Sequence, residues 1–210
     1  MTEILLGRLI RWSIGGLLIC GGCAAETASL PSGPTPDLHP GGAQSRALED
    51  EADAHGQRAR TLLGKGDLSG AVRELQEAVR AQPNHAALHS HLGKLYRVQG
   101  DLRRAEAELR RAVDLDRHDA EARNNLAFVL YDEGETARAV SEWEAAVVSA
   151  PDWPGPRAGL ALGLLAVGRV NDAMESYRRA LRLDAHYADL DYLRRVRFWS
   201  PAAAGQAEII

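Results

Sequence analysis

Cysteine is nearly absent. Cys20 and Cys23 are the two in 210 residues, so nothing beyond them can be closed by a disulfide or hold a metal through thiolates. Aromatic residues are scarce too, at 5%, and a core must therefore be built from alanine, leucine and valine. Such a core suits close-packed helices, since strands draw on β-branched and aromatic side chains. An excess of positive charge is also missing: 25 basic residues against 29 acidic ones leave a net charge of −4, which argues against a nucleic-acid partner. The catalytic patterns GxxxxGK[ST], HExxH and GxSxG do not occur. The histidines His85, His89 and His91 are grouped, but repeat phasing starts the helix near Ala86, which takes His85 off the face of His89. The chain reads as non-catalytic, with no cofactor and no metal site; a metal-dependent enzyme using this histidine group is the outlying alternative.

What is present falls into segments. Residues 1–25 have the order of a secretory leader: Arg8 and Arg11, then an uncharged, mostly apolar run from Trp12 to Ala25. That run is shorter than the about 20 residues a membrane-spanning helix needs. Gly21-Gly22-Cys23 resembles a bacterial lipobox, with Cys20 where leucine is usual. The resemblance implies a lipid on Cys23; cleavage after Ala25 and an uncleaved anchor are the other two readings. Residues 26–45 contain four prolines and three glycines and read as a linker that holds the next domain off a membrane.

The rest repeats. Gly66, Gly100, Gly134 and Gly168 stand at intervals of 34 residues, as do Ala71, Ala105, Ala139 and Ala173, and Ala78, Ala112, Ala146 and Ala180. Large residues recur in phase as Leu75, Leu109, Trp143 and Tyr177. The glycine suits a helix end that needs positive φ, Asp67 and Asp101 after it suit N-caps, and the alanines suit close helix contact.

Each copy resembles a tetratricopeptide repeat, whose period is 34 residues. Leu92-Gly93, Leu126-Ala127 and Leu160-Ala161 occupy that family's seventh and eighth positions, and Tyr96 its eleventh. Arg58-Ala59 departs from it in the first copy, and position four holds His55, His89, Arg123 and Arg157 in place of tryptophan. The resemblance implies an all-α fold: four helical hairpins (52–85, 86–119, 120–153, 154–187) in a right-handed superhelical array. A capping helix is expected at 188–199, a polar lip at 46–53 and a tail at 200–210.

In that family the first helix of each pair lines a concave groove. Mapped here, the first two copies offer Arg60, Ser90, His91, Lys94 and Arg97, the third Glu121, Asn124, Asn125, Phe128, Tyr131 and Asp132, and the fourth small and apolar residues including Leu162. The contact set implied for a peptide is Lys94, Arg97, Asn124, Asn125, Phe128, Tyr131 and Leu162. Asn125 falls on the family's common asparagine, able to donate and accept toward a peptide backbone. The family's clamp for acidic chaperone tails is not matched, because Glu121, Asn125, Gly155 and Gly159 stand where it needs cations. Leader and repeats together resemble small bacterial lipoproteins of the pilotin type. They imply an exported adaptor, facing the periplasm from the outer membrane, that binds a protein or peptide during pilus or secretion assembly. An adaptor recruiting cell-wall hydrolases and a soluble cytosolic scaffold are the alternatives.

Overall fold

Each copy of the repeat turns at its glycine. Gly66, Gly100, Gly134 and Gly168 have φ of 79°, 81°, 85° and 80°, the left-handed region in which a Cβ is costly. Here a first helix stops and a second begins two residues on. The computed structural model describes residues 40–189 together with 192 and 193. The expected leader with Cys23, the first part of the linker, the tail and most of the expected cap lie outside these residues.

Four hairpins follow one another. Helices α1 (Pro40–Gly64) and α2 (Leu68–Ala81) form the first, α3 (Ala86–Gln99) and α4 (Leu102–Leu115) the second. Helices α5 (Ala120–Asp132) and α6 (Thr136–Ser149) form the third, α7 (Pro154–Ala166) and α8 (Val170–Leu183) the fourth. A 3-10 turn, Ala185–Ala188, comes after α8. No strand occurs among the described residues, and none of their helices is long and apolar enough to cross a membrane. Helix α1 starts ahead of residue 46, inside the stretch read as linker; Pro40 opens it, where a fixed φ and a missing N–H cost nothing.

Every helix packs on its hairpin partner, and α2, α4 and α6 pack on the first helix of the next copy as well. The eight alanines of the two repeating columns are all 0% exposed, which is what lets the backbones approach. Leu75, Leu109, Trp143 and Tyr177 are buried between them. Trp143 is large, and α7 makes room for it with glycine: a Cβ on Gly159 would lie 2.2 Å from the Trp143 Nε1. At the far end, buried Tyr187 and Leu193 cover the last hairpin, and the Tyr177 hydroxyl donates to the Tyr187 carbonyl at 2.7 Å. The fold is an all-α superhelical array, as the repeat implied.

Position four shows what replaces the missing tryptophan. His89 Nδ1 meets Glu108 at 2.6 Å and its Nε2 meets the Pro83 carbonyl at 3.0 Å. Arg123 does the same with Glu142 at 2.5 Å and the Arg117 carbonyl at 2.9 Å. His55 meets Glu74 at 2.8 Å. A histidine or arginine on the first helix is thus tied to a glutamate nineteen residues later on the second, and in two copies also to the end of the preceding one. The fourth copy keeps the backbone bond, Arg157 Nε to the Pro151 carbonyl at 3.1 Å, but has Ser176 where the glutamate belongs.

Candidate protein-binding groove

The first helices of successive copies lie side by side: α3 touches α5, and α5 touches α7. The groove residues expected from the sequence lie on these first helices.

Lys94 of α3 and Glu121 of α5 pair at 3.2 Å, both partly exposed. One turn further along α3, Arg97 is buried; its guanidinium lies 3.7 Å from Asp132 and stacks 5.1 Å from the centre of the Phe128 ring. Burial pulls the Arg97 pKa below the ordinary arginine value, with Asp132 pulling the other way. Phe128 stands edge-on to Trp143 at 5.1 Å, and Tyr131 is tilted against the same indole at 5.9 Å. Tyr131 stays half-buried, its hydroxyl pKa pushed up by burial and then by Asp132.

Phe128 is 3% exposed and Leu162 0%, so both contribute to the packing of the array. The sequence pattern put them on the inner face; it did not show how closely Trp143 and Arg97 crowd the third copy.

Asn124 and Asn125 sit on α5, positioned by a first turn that Asp119 caps, accepting from the N–H groups of Glu121 and Ala122 at 2.9 Å each. They are 4% and 5% exposed, yet Asn124 Oδ1 and Asn125 Nδ2 have no hydrogen-bond partner. An unpaired buried amide atom costs about 1–3 kcal/mol. Such atoms are rare unless something else satisfies them.

His91 stands on the rim of α3. Partial burial lowers its pKa first of all; Lys94 and Arg60 add to this, and Glu121 and Asp119 oppose it. Among the described residues no three His, Cys, Asp or Glu side chains gather as a metal would require. His89 is engaged with Glu108 and the Pro83 carbonyl. The ties from position four to glutamate were not anticipated, although His55/Glu74, His89/Glu108 and Arg123/Glu142 repeat in phase and were available as a signal.

The family model described as Tetratricopeptide repeat matches residues 62–123. A search of curated proteins returns no match. Among solved structures, the array is similar to Pseudomonas aeruginosa PilF, with 23% identity, a TM-score of 0.62 and coverage of 77% of this chain and 75% of that one. It is similar to MamA from Desulfovibrio magneticus RS-1, with 21% identity, a TM-score of 0.59 and coverage of 76% and 93%. It is also similar to YrrB, a TPR protein with an unusual peptide-binding site, with 20% identity, a TM-score of 0.57 and coverage of 80% and 85%. At these identities the likeness concerns the fold.

Proposed function

We propose that this tetratricopeptide-repeat protein is a non-catalytic adaptor that holds a protein segment along its inner face. The observation that carries the reading is the pair of amides on α5. Asn124 Oδ1 and Asn125 Nδ2 are an acceptor and a donor, buried without a partner in the protein, on consecutive residues of α5. An extended peptide offers its backbone N–H and C=O in the same pairing, so binding would recover what the free protein forgoes. The peptide-binding site of YrrB, on a similar fold, supports this reading.

The place of action is proposed from the sequence. A leader ending in Gly21-Gly22-Cys23, a linker and then the array describe an exported adaptor tethered through Cys23 and facing the periplasm. Its client on this reading is a component of pilus or secretion assembly, in line with the pilotin-type order of leader and repeats. The likeness to PilF adds the fold to that argument.

Two experiments test the proposal. Mass spectrometry of the mature N-terminus should find acylated Cys23; an intact Met1 on a soluble product would end the tether. Crosslinking in cells should capture a pilus or secretion subunit, and replacing Asn125 with alanine should weaken that capture without lowering thermal stability much; Tyr131→Phe, which keeps the ring against Trp143, tests the hydroxyl separately. Undiminished capture would mean the client binds elsewhere.

A further inference from the structure

The first helices do not fill the inner face evenly. The fifth position of the copies holds Gly56, Ser90, Asn124 and Ala158, and the last three are buried. Gly56 differs: a Cβ placed on it would meet no atom within 4 Å. At position seven, where the other copies have leucine, Arg58 turns away to Glu74 at 2.7 Å. With glycine at position five and Arg58 drawn aside at position seven, a cleft of about 700 Å³ opens between α1 and α3.

Its walls are apolar, and its rim carries the cations Arg60 and Lys94. Leu75 and Leu95 are buried beneath it, while Leu63 on α1 and Val98 on α3 remain 39% and 37% exposed at its edge. Arg60 lines it from α1, and His91 and Lys94 line it from one turn of α3, against Asp53 as the acid among the lining residues. Lys94 already shares Glu121; Arg60 and His91 form no hydrogen bond or ion pair among the described residues. Arg60 and Lys94 are the two cations beside this exposed aliphatic surface, and they call for a ligand that carries both complements.

We propose that this cleft is a docking pocket for a segment of another protein in which an acidic side chain lies next to a bulky aliphatic one. The inference rests on the peptide-binding reading and names the chemistry of its client. The aliphatic side chain enters between Leu63 and Val98 and leaves water. The carboxylate lies between Arg60 and Lys94, with the neutral His91 imidazole beside them as a hydrogen-bonding group, where partial desolvation strengthens the attraction.

The test is selection of random twelve-residue displayed peptides on the full chain, followed by fluorescence anisotropy of the enriched sequences. Gly56→Leu fills the cleft from a position with free space and replaces glycine with a better helix former, so thermal stability should hold or rise. Enriched peptides should pair Asp or Glu with Leu, Ile or Met and bind the Gly56→Leu protein at least about tenfold more weakly. The Arg60→Glu, Lys94→Glu double variant should invert the charge preference toward Lys and Arg, which serves as the second readout. Peptides that ignore Gly56→Leu yet are lost on Asn125→Ala would overturn the pocket and leave the groove reading standing. No enrichment at all would overturn both.

Discussion

Single residues in this array often carry opposed demands. Asn125 is the clearest case, with a buried Nδ2 that no other protein group satisfies. Asn125→Ala removes a group that costs stability in the free protein, so its melting temperature should stay level or rise while client binding falls; calorimetry beside a binding titration checks both halves. Gly159 is the reverse, a residue that exists for packing. With Trp143 Nε1 2.2 Å from where a Cβ would stand, Gly159→Ala overpacks the junction of α6 and α7 and should cost about 1–3 kcal/mol in denaturant unfolding. Arg157 lacks the glutamate that its counterparts have, and its pKa is lowered by burial and by Arg179. Ser176→Glu restores the partner seen in the other copies and should stabilise the fourth hairpin by up to about 1 kcal/mol, read as a higher denaturation midpoint.

Helix ends make the next level. Asp67 and Asp101 cap α2 and α4, accepting from the Gly70 and Arg104 N–H groups at 2.8 and 3.0 Å, while α6 and α8 begin at Glu135 and Arg169 with no side-chain cap. The Arg104 N–H and guanidinium hold the Asp101 pKa below 3.8, and Arg58 and His55 hold Glu74 below 4.5. Both groups bind protons more readily when unfolded. Their contribution is present above those ordinary values and is lost as pH falls through the lowered ones. His91 adds a window at higher pH. Its folded pKa lies below 6.5, so the unfolded chain takes up the proton first and stability declines as pH drops under 6.5. Unfolding followed from pH 7 downward should show a first loss that His91→Gln abolishes and a steeper one below pH 4.5 that it does not.

Over the whole molecule, what repeats was legible and what differs between copies was not. The glycine column placed the turn within each hairpin and the alanine columns placed buried helix contacts, because a left-handed φ favours glycine and close backbones favour a small side chain. Asp67 and Asp101 were readable as caps for a similar reason: a short acceptor directly after a turn has one use. The groove was readable as a face but not as a surface. Phe128 and Leu162 belong to it by spacing, yet their burial depends on Trp143, Arg97 and neighbouring backbones that meet only once four hairpins are stacked. The cleft beside Gly56 comes from side chains that are absent, and a pattern of matches does not register a missing one.

Hydrogen–deuterium exchange on the full chain, with and without the tightest selected peptide, tests the central claim most directly. If the array holds polypeptide on its inner face, protection should rise along α1, α3 and α5 and stay unchanged on the outward sides of α4, α6 and α8. Protection confined to α4, α6 and α8 would contradict it.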